Sequence, residues 1–461
     1  MTESQADSLV IFGATGDLAY QQIFPALHSM ERHGRLDIPV ICVARPGLTL
    51  DLLRERMRQS VADHAEVDES VFDRLAARVQ YVAGEYHDPA TFVLLRKALG
   101  AGTRPVFYLA IPISLFATVV SGLARGDCAA NARVIVEKPF GRSLESARAL
   151  NATIHEWFPE ESVYRIDHFL GKEPVQNLLY FRFANAFVQP IWNSTYVDSV
   201  QILLSEAFGV RGRGRFYEEV GAIRDVFQNH LLQILALLAM EPPAGNDGDA
   251  IDAARVALLN DVRPLRPRDV VLGQYRGYLN ERDVAPASRV ETYVAARLDI
   301  DNPRWAGVPF WIRSGKSLAV TATEVHVRLK QPVGGLFDSA STSSRNEFTF
   351  RLSPDVCISL TARTKRPGDA MVGDEARLVE HHQVGDEMKA YERLFGDALR
   401  GDRTLFASQA GVETAWRIVD SVLGADQPLY EYEAGSRGPA EAEQMTASAG
   451  GWIEPGAMCT R

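Results

Sequence analysis

The chain of 461 residues is long enough for two hydrophobic cores, because a single core stops growing at about 250 to 300 residues. Its 46% hydrophobic and 23% charged residues are typical of a globular protein and give no sign of disorder. The formal net charge of -10 argues against nucleic acid or an anionic membrane as a partner, so an anionic substrate would need a local cluster of cations.

The four cysteines lie far apart and lack the CxxC spacing of a zinc ribbon, so we expect neither a zinc site nor a disulfide framework. No other metal-binding motif occurs in the sequence. The first residues form neither the basic start nor the apolar segment of a secretory signal. The strongest apolar run, residues 231–240, is too short to cross a bilayer. We therefore predict a cytoplasmic protein without a metal.

The first predicted element is a buried strand over residues 8–12, followed by a tight turn and a helix. Glycines in the turn would let the backbone approach a pyrophosphate, and the new helix would offer unpaired N–H groups and the positive end of its dipole. A plain turn between a strand and a helix is the alternative, because the spacing differs from GxGxxG. The turn consists of Gly13, Ala14, Thr15, Gly16, Asp17 and Leu18.

The second predicted strand, residues 38–44, ends at Arg45, where an NAD-binding fold has an acidic residue for the ribose. A cation there suits the 2′-phosphate of NADP, whereas a surface arginine at a strand end is the alternative. Strands alternating with helices predict a parallel sheet covered on both faces, and hence a Rossmann-like NADP-binding domain over residues 1–178. The further strands of this sheet are predicted at residues 79–82, 105–110 and 132–137.

Lys138 follows the last of these strands, at the carboxyl end where open α/β sheets bind ligands. Residues 165–177 are then unusually rich in charged and polar groups. If a helix begins near Leu170, then His168 and Lys172 are four residues apart and can face one anion. A capped helix start with a solvated charge cluster is the alternative.

After residue 178 the alternation of strands and helices ends, and we predict an α+β domain with a large, mainly antiparallel sheet over residues 179–461. A buried helix over residues 225–240 carries a polar cluster that either lines a cavity or is satisfied within the core. Beyond Gly424 we predict an extended, partly mobile tail. The predicted strands are residues 197–206, 290–299, 308–313, 324–330, 347–352 and 356–363, and the polar cluster is Asp225, Gln228, Asn229 and His230.

Seven short motifs, taken in order, resemble those of the glucose-6-phosphate dehydrogenase family. No single motif is specific, but their order and spacing span nearly the whole chain. The resemblance implies an enzyme that transfers hydride from C1 of a hexose 6-phosphate, with glucose 6-phosphate as the leading candidate, to NADP, giving the 6-phosphogluconolactone of the pentose phosphate pathway. The motifs are GATGDLA at 13–19, FYLA at 107–110, EKPFG at 137–141, RIDHFLGKE at 165–173, QNH at 228–230, RSGK at 313–316 and YER at 391–393.

The resemblance also implies a role for each matching residue. His230 would be the general base that takes the proton from the C1 hydroxyl, and Asp167 would orient its ring. The family further implies a homodimer or homotetramer. Substrate binding would fall to Lys138, His168, Lys172, Glu206, Asp225, Lys316 and Tyr391, with His168, Lys172 and Tyr391 on the phosphate. The dinucleotide would be held by residues 13–19, Arg45, Tyr108 and Lys138.

Three positions depart from the family pattern. Gln22 stands in a run that is normally basic, Thr321 stands where a second cation would follow RSGK, and Phe169 replaces a tyrosine beside the phosphate histidine. Fewer cations predict weaker binding of glucose 6-phosphate. Two alternatives therefore stay open: a specialised paralogue that oxidises another sugar phosphate, and a catalytically weak regulatory paralogue.

Overall fold

The computed structural model of the protein describes residues 5–332, 345–369, 371–381, 388–424 and 426–455. The chain divides into two compact units. Unit 1 comprises residues 1–172, 245–252 and 388–413, and unit 2 comprises residues 173–244, 253–387 and 414–461. The domain boundary between residues 178 and 179 stays a prediction.

Unit 1 is built on a six-stranded parallel sheet with the strand order β3-β2-β1-β4-β5-β6. Because β1, β2 and β4 are buried along their whole length, their sequences are continuous apolar runs. The order reverses between β1 and β4, as in doubly wound dinucleotide-binding folds, and the predicted Rossmann-like class is confirmed. The strands are β1 (Ser8–Phe12), β2 (Val40–Ala44), β3 (Val79–Ala83), β4 (Pro105–Leu109), β5 (Arg133–Glu137) and β6 (Val163–Ile166).

The sixth strand was missed by the sequence analysis because it is short and contains the buried Arg165, whose charge is met by Glu160 at 2.9 Å. Helices surround the sheet, and a π-helix, Ala19–Ile23, follows the glycine turn. The helices of unit 1 are α1 (Phe24–Arg32), α2 (Leu50–His64), α3 (Glu69–Arg78), α4 (Pro89–Leu99), α5 (Phe116–Arg125), α6 (Leu144–His155) and α11 (Ala390–Arg400).

Unit 2 contains a nine-stranded sheet with the order β14-β13-β12-β11-β7-β10-β9-β8-β15. Two pairs, β7 with β10 and β8 with β15, are parallel, and the other neighbours are antiparallel. The predicted large, mainly antiparallel sheet is confirmed. The strands are β7 (Val197–Ser205), β8 (Val270–Tyr275), β9 (Tyr293–Leu298), β10 (Phe310–Gly315), β11 (Ala322–Leu329), β12 (Glu347–Ser353), β13 (Cys357–Lys365), β14 (Gly373–His381) and β15 (Leu429–Tyr432).

Three of these strands, β8, β14 and β15, were not predicted. β14 is largely exposed and rich in charged residues, so it lacks an apolar face, and β15 has only four residues. The predicted extended tail is wrong over residues 426–455, where β15 and a helix form. The remaining helices are α7 (Glu173–Ala184), α8 (Gly214–Ala222), the π-helix Ile223–Leu231, α9 (Leu232–Ala239), α10 (Gly248–Asp261), α12 (Gln409–Val419) and α13 (Ala440–Thr446).

The helical segment 223–239 ends on carbonyl groups that side chains cap. Arg182 donates to the carbonyls of Leu237 and Met240 at 2.9 and 2.8 Å. The indole N–H groups of Trp192 and Trp305 donate to the two carbonyls in between, those of Leu238 and Ala239, at 2.9 and 2.7 Å. These bonds satisfy acceptors that a buried helix end would otherwise leave without partners, and they hold the helix that carries His230.

Two of the four cysteines, Cys42 and Cys128, are free and buried. Cys357 is disulfide-bonded, whereas the spacing of the cysteines led us to expect no disulfide framework. Within the part of the chain that the structure describes, no helix has both the length and the apolar character to cross a membrane.

Candidate functional site

The glycine turn after β1 has a backbone that only glycine fits. Gly13 has φ +81°, and a Cβ atom there would lie 2.1 Å from the carbonyl oxygen of Ala110. The turn closes through a hydrogen bond of 2.9 Å from the N–H of Gly16 to the carbonyl of Gly13. The structure therefore brings the predicted turn residues to the carboxyl end of β1, at the point where the strand order reverses.

Two side chains that the sequence analysis missed hold this turn. The hydroxyl of Tyr86 accepts a hydrogen bond of 2.8 Å from the N–H of Gly13. From α2, Arg56 donates to the carbonyl of Thr15 at 3.0 Å and lies 4.8 Å from the ring centroid of Tyr20. Neither residue belongs to a recognisable motif, and only the fold brings them to the turn.

Arg45 follows β2 directly, and it is exposed. Burial raises the pKa of the Tyr86 hydroxyl, while its bond to Gly13 and the charge of Arg45 lower it in part. β1 and β2 are adjacent parallel strands, so their carboxyl ends, which the glycine turn and Arg45 follow, lie at the same edge of the sheet. The predicted cation and the predicted turn thus meet at one edge of the sheet.

The ends of β4 and β5 carry a buried polar cluster. The hydroxyl of Tyr108 donates to the carboxylate of Glu137, and Tyr391 from α11 is also hydrogen-bonded to that carboxylate. Burial raises the pKa of Glu137 to about 7, although the two hydroxyl groups and the charge of Lys138 act in the opposite direction. Lys138 is partly exposed, and its peptide bond to Pro139 is cis.

The segment after β6 is a turn and not the predicted helix. The N–H groups of Leu170 and Lys172 bond to the carbonyls of Asp167 and Phe169, at 3.0 and 3.1 Å, and the helix begins only at Glu173. The Asp167 side chain accepts from the N–H of Phe169 at 3.0 Å, which stabilises the turn. The helical spacing that we inferred for this segment is therefore wrong.

The same turn lies beside α11. A Cβ atom on Gly171 would come within 3.0 Å of Leu394 and 3.1 Å of the carbonyl of Ala390. The charge of Asp167 also raises the pKa of Tyr391, after the larger effects of burial and Glu137. Unit 1 therefore brings Tyr391 close to the turn that carries its two predicted phosphate-binding partners, His168 and Lys172.

In unit 2, three of the predicted substrate-binding residues form one ionic cluster. The ammonium of Lys316 pairs with Glu206, which follows β7, and lies 3.7 Å from a carboxylate oxygen of Asp225. Its Nζ also lies 5.4 and 5.6 Å from the ring centroids of Phe208 and Tyr217. A mixed cluster of carboxylates and an ammonium suits the hydroxyl groups of a sugar, because it offers both acceptors and donors.

The base predicted at His230 lies on the π-helix Ile223–Leu231 and is 1% exposed. A π-helix closes its hydrogen bonds between residues five apart, so Asp225 and His230 lie on the same face of this helix. In an α-helix this spacing would turn the two side chains away from each other. The backbone N–H of His230 donates to the side-chain oxygen of Asn229 at 2.6 Å.

The structure shows the exposure or the contacts of each residue that departs from the family pattern. Gln22 is exposed on the first π-helix. Thr321 uses its hydroxyl to accept a hydrogen bond of 2.9 Å from the N–H of Ala207, next to Glu206. Phe169 is buried, with the ammonium of Lys172 located 3.8 Å from its ring centroid. A cation–π contact thus occurs where a hydroxyl group was expected.

Two family profiles match the chain, "Glucose-6-phosphate dehydrogenase, NAD binding domain" over residues 10–177 and "Glucose-6-phosphate dehydrogenase, C-terminal domain" over residues 179–453. Glucose-6-phosphate 1-dehydrogenase 1 of Mycobacterium tuberculosis is 40% identical over 453 residues, which cover 98% of this chain and 97% of that protein. The crystal structure of glucose-6-phosphate 1-dehydrogenase from Mycobacterium avium is similar with a TM-score of 0.93 and 41% identity, covering 98% of this chain and 99% of that one. A glucose-6-phosphate dehydrogenase in complex with its substrate glucose-6-phosphate has a TM-score of 0.91 and 33% identity, covering 98% of this chain and 100% of that one.

Proposed function

The chain belongs to the glucose-6-phosphate dehydrogenase family, and on that premise we propose that it oxidises C1 of glucose 6-phosphate and delivers the hydride to NADP. The product is the 6-phosphogluconolactone. The observation that carries the proposal is the similarity over nearly the whole chain, 40% identity across 98% of its length. The comparisons favour neither alternative paralogue. We further propose a homodimer or homotetramer located in the cytoplasm.

The cofactor proposal rests on the carboxyl edge of the parallel sheet. The glycine turn lies at the carboxyl end of β1 where the strand order reverses, which is the pyrophosphate position of doubly wound sheets, and Arg45 offers a guanidinium for the 2′-phosphate that distinguishes NADP from NAD. Tyr108 and Lys138, at the ends of neighbouring strands, would face the nicotinamide half. When bound, the dinucleotide accepts the hydride, and the protein supplies position and proton transfer.

Proton transfer is assigned to His230. The C1 hydroxyl must lose its proton as the hydride leaves, and a histidine titrates in the range where such a base is effective. Asp167 would orient the imidazole and stabilise its charged form. The phosphate would be held by His168, Lys172 and Tyr391, and the sugar hydroxyls by Glu206, Asp225 and Lys316.

The direct test is a spectrophotometric assay of dinucleotide reduction against a panel of sugar phosphates and free glucose. We expect turnover of glucose 6-phosphate with NADP, at a raised KM because Gln22 and Thr321 supply no cations. His230→Asn should lower kcat by about 10²- to 10⁴-fold, the usual contribution of a positioned base. His87→Asn, which alters an exposed histidine, is the matched control. No turnover of glucose 6-phosphate, or a His230→Asn enzyme with full kcat, would contradict the proposal.

Cofactor choice has its own test. Arg45→Ala should weaken NADP by about 1.5 to 3 kcal/mol, the range for hydrogen bonds to charged groups, and leave NAD nearly unchanged. Arg58→Ala on α2 removes another surface guanidinium, one that pairs with Glu69, and should change neither KM. Equal losses for both dinucleotides in Arg45→Ala would show that Arg45 does not bind the 2′-phosphate.

A further inference from the structure

Glu137 has no role in the proposed reaction, yet its carboxyl group is the centre of the cluster at the ends of β4 and β5. Tyr108 donates to it from the neighbouring strand, and Tyr391 reaches it from the first turn of α11. The two tyrosine hydroxyls are also hydrogen-bonded to each other. Three polar groups from three separate elements of unit 1 therefore share one small network.

The network lies next to the proposed phosphate site. Glu137 pairs with Ile166 in the register of β5 and β6, and Asp167 and His168 follow directly. Gly171 in the same turn contacts α11, which carries Tyr391. Phe169 has no hydroxyl to offer a phosphate, so the hydroxyl of Tyr391 gains importance as a donor at this side of the site.

The number of protons limits what Tyr391 can do. With an ionised carboxylate, the network has two hydroxyl protons for three hydrogen bonds, and a carboxylate only accepts. Tyr391 then donates its one proton to Glu137 and has none for a phosphate. A proton on Glu137 reverses that bond: Glu137 donates to the Tyr391 oxygen, Tyr108 still donates to Glu137, and the Tyr391 proton can bond either to the Tyr108 oxygen or to a phosphate.

We propose that Glu137 is a positioning residue for phosphate binding, because its proton decides whether Tyr391 donates to the phosphate or to Glu137. This inference rests on the proposed function, which makes Tyr391 a phosphate ligand. The groups that face the network are Tyr108, Tyr391 and Lys138, with Asp167 acting on Tyr391. No bond to carbon changes; one proton binds to Glu137 and one hydrogen bond changes direction.

Electrostatics allow this change near neutral pH. Burial raises the pKa of Glu137 to about 7, against the lowering effects of Tyr108, Tyr391 and Lys138. The neutral form is therefore populated below that pH and the ionised form above it. Phosphate affinity should fall as the pH rises through about 7.

The test uses inorganic sulfate, whose charge does not change near neutral pH, and follows its dissociation constant by calorimetry on the full chain. In the unmodified protein the dissociation constant should rise roughly tenfold as Glu137 ionises, the effect of about one hydrogen bond to a charged group. Glu137→Gln should abolish this rise and retain the tight value, because the amide donates to Tyr391 and accepts from Tyr108 at every pH. All other titratable groups are the same in both proteins, so the difference between the two profiles belongs to Glu137.

Tyr391→Phe separates the hydrogen bond from simple charge repulsion. This variant should bind sulfate weakly at every pH. Its dissociation constant should also lack the pH-dependent rise that Glu137→Gln removes. If Tyr391→Phe keeps that rise in the dissociation constant, or if the pH profiles of the unmodified protein and Glu137→Gln are parallel, the inference is overturned.

Should Glu137→Gln not fold, Tyr108→Phe serves instead. It removes a bond that lowers the pKa of Glu137, so the rise in the dissociation constant should move to higher pH. Sulfate binding needs no turnover, so its outcome is independent of the assay with glucose 6-phosphate.

Discussion

Two carboxyl groups, the partly buried Glu137 in unit 1 and the buried Glu324 in unit 2, have opposite protonation behaviour. In unit 1, Glu137 is hydrogen-bonded to the neutral hydroxyls of Tyr108 and Tyr391, and burial raises its pKa to about 7. In unit 2, Glu324 on β11 is fully buried, yet its pKa is lowered, because hydrogen bonds and charges from His326 and Arg351 outweigh burial. Burial is common to both, so the partner decides whether the carboxyl group keeps its proton.

The cluster around Glu324 consists of charged groups on the adjacent strands β11 and β12. The two ring nitrogens of His326 lie 3.0 and 3.1 Å from carboxylate oxygens of Glu324 and Glu347. Arg351 donates to Glu324 at 2.5 Å, and Arg328 donates to Glu347 at 3.1 Å. With a cation opposite each carboxylate, this cluster fixes its charges and is suited to structure, whereas the hydroxyl network of Glu137 is suited to a change of proton.

The largest expected effect comes from Glu324→Gln. The substitution keeps the shape but removes the carboxylate charge that faces the buried His326 and Arg351, and breaking a buried ion pair in this way costs about 3 to 5 kcal/mol. Glu137→Gln keeps a neutral group among hydroxyls and should change the unfolding free energy by less than about 1 kcal/mol. Urea unfolding followed by tryptophan fluorescence reports unit 2, because Trp157 alone of the six tryptophans lies in unit 1. Circular dichroism follows the whole chain. Equal losses of unfolding free energy in the two variants would contradict the proposed difference between the two carboxyl groups.

The next effect is a pH dependence that belongs to unit 2. Burial lowers the pKa of His326, but the hydrogen bonds and charges of Glu324 and Glu347 outweigh it, so the pKa is raised above 6.5. The folded state then holds a proton that the unfolded state releases, and this stability, complete below pH 6.5, is lost as the pH rises through the folded pKa. The loss is about 1.4 kcal/mol for each unit by which the pKa is raised.

His326→Gln should be less stable at low pH and should lack this decline in the urea midpoint of the fluorescence transition. Glu137→Gln, which leaves the cluster on β11 unchanged, should retain the decline and serves as the control. A decline of the same size in His326→Gln would mean that another group titrates.

The contrast between the units also shows what could be predicted from the sequence. In unit 1, the glycine turn, Arg45 and Lys138 directly follow strands with continuous apolar runs, so local patterns place them at one edge of a parallel sheet. The position of Tyr391 could not be predicted in this way. It lies on α11, which is more than two hundred residues after the strands of unit 1 in the chain but still belongs to that unit. No local pattern predicts that return, and only the family resemblance indicated a role for Tyr391.

Two errors have local physical causes. The helix expected near Leu170 begins at Glu173, and Pro174 in its first turn is the signal that could have located the start. No residue in the sequence marks the π-helix, which places Asp225 and His230 on one face, because an amphipathic pattern predicts the usual α-helical period. Sequence reasoning therefore identified the polar cluster on this helix but not its geometry.

The smallest expected effects come from removing one hydroxyl at each carboxylate. Tyr108→Phe removes a hydrogen bond to Glu137, and Thr349→Val removes one of 3.1 Å to Glu347. An intramolecular hydrogen bond typically contributes about 0.5 to 1.5 kcal/mol, and Tyr108→Phe should lie at the upper end because Glu137 depends on hydroxyl donors. Glu347 keeps His326 and Arg328, so Thr349→Val should lie at the lower end.

The pH dependence separates these two variants further. Glu137 has a folded pKa of about 7 against an ordinary 4.5, so its folded state holds the extra proton and stability falls as the pH rises between those values. Tyr108→Phe removes a bond that lowers this pKa, and the fall should become larger and extend to higher pH. Thr349→Val should leave the fall unchanged, since Glu347 remains charged beside its cations. Thermal unfolding by circular dichroism from pH 5 to 8 measures both, and a steeper fall in Thr349→Val would mean that cations do not hold the charge of Glu347.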